Sequence, residues 1–342
     1  MRTHHVRTGA AALLLILTAI VPAAAEGPKP QVGEKLERKG DEIVACGQFF
    51  HTGAPVVLWI DPGGYDAYRV EPRFATPGAP RAKEWEGARY GMRRARLSPE
   101  QVERIRSGGW DLPLLQEVVD QFVLHYDVCG TSRKCFQVLQ DERHLSVHFM
   151  LDVDGTIYQT LDLKEAAWHA TKANSRSVGV EIAQMGAYPV GSSHPLDRWY
   201  ERGPDGRVRL TIPGGAKEAG VRNHQEIFCP ARDEPILGTI QGQKLIQYDF
   251  TPQQYDSLIK LTATLCTILP KIRCDYPRDG SGQLIPRKLP DDQYDRYQGI
   301  LGHYHVQTNK TDPGPALQWD KVIEGARALR QEAQNSTAKG TP

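Results

Sequence analysis

What most constrains this fold is a set of apolar runs that are short and closely spaced. "VVDQFVLHY", residues 118–126, carries five apolar side chains in nine positions and ends on His125-Tyr126. It reads as a buried strand. "LSVHFMLD" alternates, with Leu145, Val147, Phe149 and Leu151 on one side and Ser146, His148 and Met150 on the other. "DVDGTIYQTL" follows, and Asp154-Gly155 is a hairpin signal. "SVGVEIAQ" is a further strand. Between and around these lie helical patterns: a short one near Lys134 to Glu142, a terminal one over 316–333, and the clearest in "TPQQYDSLIKLTATLCTIL". There Thr251 caps with Gln254, Pro252 takes the first turn, and Tyr255, Leu258, Ile259, Thr262, Leu265, Cys266 and Leu269 form one stripe. From about residue 116 the pattern is therefore α/β.

The flanking segments read differently. In residues 1–25, Arg2 and Arg7 precede a short apolar core and a small-residue site at Ala23 to Ala25. This predicts a cleaved secretory signal, because the core falls short of the roughly 20 residues a membrane span needs. Export to the periplasm or the medium follows, with no membrane anchor after cleavage. Residues 26–115 are a linker and an N-terminal extension with short strands over 41–75, of unknown role. Within it, residues 81–106 hold eight Lys or Arg against four Glu. That is a solvated face or a patch for an anionic polymer, the former preferred. "SPEQ", Ser98 to Gln101, starts a helix with a capping box. Residues 186–250 are an insertion with little periodicity, and 334–342 read as a disordered tail.

A net charge of +1 argues against a dedicated nucleic-acid binder. The six cysteines suggest disulfides in an exported protein. Cys129 with Cys135 and Cys266 with Cys274 are close enough in sequence to pair, which would leave Cys46 with Cys229. Other pairings stay open.

"GHYHVQTNKTDPGP", residues 302–315, packs two histidines, a lysine and an aspartate into one turn-rich segment. A metal site there would need a further ligand from elsewhere. His125 at a strand end, His148 within a strand and His169 in "AAWHATKANS" are candidates. Each alone is more commonly a hydrogen-bonded structural residue.

Taken in order, "FVLHYD", "SVHFMLDVDGTIYQ", "AAWHATKANSRSVGVEIA" and "GHYHVQTNKTDPGPALQW" resemble the zinc-dependent N-acetylmuramoyl-L-alanine amidases of type 2, a family that shares its fold with the peptidoglycan recognition proteins. The resemblance covers about 116–330 and implies a central mixed β-sheet flanked by helices over 116–333. It implies that His125, His303 and Asp312 hold Zn2+, with His305 a rival to His303. It gives Glu181 the role of proton acceptor and Lys310 that of oxyanion stabiliser. His148 would support the site, and His169, Asn174 and Arg176 would contact substrate. The recognition proteins commonly carry a disulfide with the spacing of Cys129 and Cys135. The implied reaction is hydrolysis of the amide between the lactyl group of N-acetylmuramic acid and L-alanine, in peptidoglycan or muropeptides. The rivals are a non-catalytic peptidoglycan recognition module and a zinc peptidase; no HExxH helix is present for the latter.

Overall fold

The computed structural model describes residues 31–71, 73–74, 87–94 and 97–339. The expected signal peptide lies outside them, as does part of the basic stretch. The chain falls into two compact units, Met1–Glu37 and Arg38–Pro342. Of the first, a turn closes where Gln31 donates to the Glu34 carboxylate. The elements below belong to the second.

In chain order these are β1 (Glu42–Ala45), β2 (Gln48–His51), β3 (Val56–Leu58), β4 (Tyr90–Met92), α1 (Pro99–Gly108), α2 (Leu112–Val118), β5 (Gln121–Tyr126), α3 (Ser132–Gln137), β6 (Phe149–Leu151), β7 (Ile157–Gln159), β8 (Glu165–Ala167) and β9 (Ser177–Ile182). A single π-turn, Val138–Arg143, continues α3. The insertion holds β10 (Tyr188–Pro189), α4 (Leu196–Trp199), β11 (Tyr200–Arg202), β12 (Val208–Leu210), β13 (Ile236–Ile240) and β14 (Gln243–Gln247). Then come α5 (Pro252–Ile268), α6 (Asp291–Arg296), β15 (Gly299–Gly302), α7 (His303–Val306) and α8 (Trp319–Lys339). The last helix runs to Lys339, into the segment expected to be a disordered tail, whose residues 340–342 lie outside the described residues. No described helix is long and apolar enough to cross a membrane.

The central sheet has the order β15-β5-β9-β6-β7-β3, parallel except between β6 and β7, so it is mixed as the motifs imply. Its strands look evenly apolar because both faces are covered. Phe122 and Leu124, Val178 and Val180, and Phe149 and Leu151 share one core cluster with Leu258, Leu261 and Leu265 of α5 and Val322 and Ile323 of α8. The other face carries Val123 and Leu301 in one cluster and Met150 and Tyr158 in another. Val147 joins the second of these rather than the Phe149 side, because the regular strand begins only at Phe149. Both predicted capping boxes form: Ser98 with Gln101 and Thr251 with Gln254. The β6–β7 hairpin turns at Asp154-Gly155, where Gly155 has φ +82°.

From Arg38 on, the N-terminal extension belongs to this unit. β3 is the sheet's edge strand. Gln159 of β7 exchanges hydrogen bonds with the Val44 backbone at 2.7 and 2.8 Å. Two of the cations in the basic stretch are not on the surface. Arg89, 1% exposed, donates to the carbonyls of Gln140, Arg69 and Val70. Arg93, 0% exposed, donates to those of Leu163 and Ser177 at 2.9 Å. Neither reading of that stretch anticipated buried arginines; what places them is the pairing of β4 with β8.

No disulfide is formed in the structure, where all six cysteines are free. Cys129 and Cys135 are neighbours, as are Cys266 and Cys274. Cys46 and Cys229 sit in different surroundings. The first lies in the β1–β2 turn with its N–H on Asp162, and the second beside Arg207.

Candidate active site

The site forms where three strands end. In the parallel pair β5–β9, His125 stands opposite Glu181. Their side chains leave the face opposite Phe122, Leu124, Val178 and Val180, since successive residues alternate. β15, on the other side of β5, ends at Gly302, and His303 opens α7. Gly302 has a steric reason: a Cβ there would lie 2.7 Å from Pro313 Cδ. Its absence lets the loop fold back so that Asp312 meets His303. The Tyr304 N–H donates to the Asp312 carbonyl at 3.2 Å, and the Tyr126 and Thr311 hydroxyls lie 2.5 Å apart.

Three atoms converge. His125 Nδ1 lies 2.8 Å and His303 Nδ1 2.9 Å from Asp312 Oδ2, and all three residues are buried. Burial alone would raise the Asp312 carboxyl. The His303 and His125 rings beside it hold it well below the usual carboxylate range instead. Burial, and then His303, lowers His125 to about 4, so its ring is neutral near pH 7.

These residues fit a zinc ion. Coordination through both Nδ1 atoms requires a hydrogen on each Nε2, and each Nε2 has an acceptor. His125 Nε2 is 2.9 Å from His169 Nδ1, whose own Nε2 is 3.2 Å from Ser177 Oγ. His303 Nε2 is 2.7 Å from Gln307 Oε1. One order of protons satisfies every bond. Two neutral imidazoles and a carboxylate leave a fourth tetrahedral position open, as a catalytic site requires. His305 is not a rival: its Nδ1 accepts from the Gly302 N–H at 2.8 Å and its Nε2 donates to the Ile285 carbonyl at 2.7 Å.

A cavity of about 140 Å³ opens over the three atoms, lined also by Glu181, Lys310 and His169. Glu181 Oε2 is buried without a partner. Burial, followed by the charges of Asp312 and Asp127, raises its carboxyl well above the usual value. It is thus a group that takes up a proton readily.

Of the three expected substrate contacts, Asn174 and Arg176 are not among the residues lining the cavity. His169 lines the cavity, but both its ring nitrogens serve other residues, so it supports His125. Gly179 makes room for it, since a Cβ there would lie 2.5 Å from the ring. Asn174 Oδ1 accepts from the N–H groups of His169 and Ala170 at 3.1 and 2.7 Å and shapes the loop. Arg176 forms a buried bidentate pair with Asp120 at 2.7 and 2.6 Å, outside the cavity. His148, just before β6, is a support as expected: its Nδ1 accepts from the Gly179 N–H at 3.1 Å.

Three residues went unnoticed in the sequence. Gln307 is four residues after His303, a helical spacing that would have placed it beside the ring. Ser177 opens β9 and carries no signal. Asp127 follows His125 by two, the strand period that returns a side chain to the same face.

A sequence model of the N-acetylmuramoyl-L-alanine amidase family matches residues 115–315. Among solved structures, the chain is similar to a selenomethionyl AmpD derivative, at 14% identity and a TM-score of 0.32, covering 69% of this chain and 89% of that one. It is also similar to the N-acetylmuramyl-L-alanine amidase AmiD from E. coli, at 16% and 0.33, covering 60% and 57%. A third is the hydrolase AmiA of Staphylococcus aureus, at 11% and 0.34, covering 71% and 97%. No curated protein matches.

Proposed function

The chain belongs to the N-acetylmuramoyl-L-alanine amidase family, and from that premise we propose that it is an exported zinc hydrolase cleaving the lactyl–L-alanine amide of peptidoglycan or muropeptides. The observation that carries this reading is the convergence of His125 Nδ1, His303 Nδ1 and Asp312 Oδ2 beside Glu181, whose Oε2 is buried and unpartnered. A zinc ion held by those three atoms would supply Lewis acidity toward the amide carbonyl and lower the pKa of water. Glu181 accepts a proton from the attacking water and returns it to the departing nitrogen. Its raised proton affinity suits both halves of that task. Lys310, on the same cavity wall, stabilises the negative charge that develops on the carbonyl oxygen. His169, Ser177 and Gln307 hold the ligand rings. The leader-like residues 1–25 support delivery to the periplasm or the medium, where peptidoglycan is found.

The test is incubation of the protein with purified peptidoglycan, with products read by mass spectrometry. Stem peptides with a free N-terminal L-alanine, lost on chelation and restored by zinc, are expected. Wall binding without release, by a protein shown to carry zinc, would overturn hydrolysis in favour of a recognition module.

A further inference from the structure

Asp127 lines the cavity beside Glu181, Lys310 and Asp312, and no role described so far uses it. One of its oxygens is fully occupied. Oδ1 accepts from the backbone N–H of Cys129 at 2.9 Å and from those of Gly130 and Gln184 at 3.0 Å. These bonds fix the carboxylate plane and tie the end of β5 to the residues after β9. The other oxygen, Oδ2, is buried and has no partner. Folded proteins seldom leave a buried carboxylate oxygen empty. The arrangement is that of an acceptor held in place for something that arrives.

We propose that Asp127 Oδ2 receives the nitrogen side of the scissile amide, first as the N–H of the substrate and then as the ammonium of the departing L-alanine. The proposal rests on the amidase reading. In that reaction water adds across the C–N bond: hydroxyl goes to the carbonyl carbon and hydrogen to the nitrogen. The resulting amine takes a further proton near neutral pH, so the products are a carboxylate and an ammonium. The carbonyl oxygen would meet Lys310 and the zinc that His125, His303 and Asp312 would hold, and the nitrogen needs an acceptor that is not itself consumed. Glu181 gives its proton to the nitrogen; Asp127, two residues beyond the ligand on the same strand face, is placed to orient it. A charge-assisted bond to a group with three N–H donors is the strong kind.

The zinc-loaded protein should be titrated calorimetrically with the synthetic stem peptide L-Ala-γ-D-Glu-L-Lys and with its N-acetyl form, which lacks the ammonium. The wild type should bind the free amine at least tenfold more tightly. Asp127→Asn keeps the Oδ1 acceptor for all three backbone N–H groups and turns Oδ2 into a donor. It should erase the preference while leaving zinc content unchanged, weaken binding of the acetyl peptide, which keeps an amide N–H, less than that of the free amine, and raise KM more than it lowers kcat. A wild type that does not distinguish the two peptides overturns the proposal even if the variant does not fold. So does a variant that retains the preference. Release of free L-alanine amines by the wild type, measured alongside, tests the amidase reading separately: with turnover present and no preference, only the role of Asp127 falls.

Discussion

At the scale of single residues, the site is a set of buried polar groups, each accounted for by a partner or a task. His305, His148, Asn174 and Arg176 have partners within the fold. Glu181 and Asp127 keep one buried oxygen each without a partner, and both residues line the cavity. That contrast separates framework from chemistry. Glu181→Gln removes the proton carrier without changing shape. We expect kcat to fall by roughly 10²–10⁴-fold while zinc bound per chain, measured by atomic absorption, stays at the wild-type value. Equal loss of zinc and turnover would move Glu181 into the metal's support. Arg93→Met tests a framework residue. It strands the carbonyls of Leu163 and Ser177 at roughly 1–3 kcal/mol for each buried unpaired group. The denaturant midpoint should drop accordingly.

At the scale of elements, the ligand loop is held from two directions. Gly302 lets Pro313 close over the end of β15. From the insertion, Gln247 of β14 accepts from the Ala316 N–H at 2.9 Å and donates to the Pro313 carbonyl at 3.1 Å. Helix α5 is anchored at its start, because Thr251 caps it and also donates to the Val153 carbonyl at 2.8 Å beside the β6–β7 turn. Thr251→Ala should cost about 1–2 kcal/mol, toward the upper end for a cap, read as a shift of the unfolding midpoint. The N-terminal strands matter in the same way. A chain beginning at residue 97 loses β3 and bares the edge of β7, and it strands the acceptors of Arg89 and Arg93. Such a chain should accumulate as aggregate, by the usual hazard of an open edge. Cooperative unfolding of that truncated form would show that the extension is dispensable.

At the scale of the whole molecule, pH acts on the buried groups together. Burial, followed by Asp154, pushes the Asp152 carboxyl from 3.8 up to about 8. The folded chain therefore keeps a proton that the unfolded chain releases above about pH 4, and stability is lost as pH rises toward 8. His125, His148 and His305 work the other way. Burial lowers them from 6.5 to about 4, 3 and 3, so their contribution is lost as pH falls below 6.5. Between pH 4 and 6.5 the two sets oppose each other; above 6.5 the carboxyl acts unopposed. Thermal unfolding of the metal-free protein should show stability declining from pH 6.5 to 8 by about 1.4 kcal/mol per unit for one such group. Asp152→Asn should make that limb shallower by the share of one group.

The sequence by itself determined what depends on near neighbours and on strict local patterns. Capping boxes, the Asp-Gly hairpin, the stripe of α5 and the alternation that aims His125 and Glu181 follow from spacing along the chain. The family resemblance added which of those residues belong to one site. Only the tertiary structure decided what depends on who lies across a strand. The extension read over residues 26–115 looks separate in the sequence because β3 pairs with β7, about a hundred positions away, and no local signal reports such a partner. Arg89 and Arg93 read as surface cations, and Arg176 as a substrate contact, because their acceptors are carbonyls and a carboxylate brought from distant parts of the chain. His303 and His305 are equivalent as letters. They part because α7 turns one ring toward Asp312 and the other into the backbone, and a buried imidazole takes its role from whatever its two nitrogens meet.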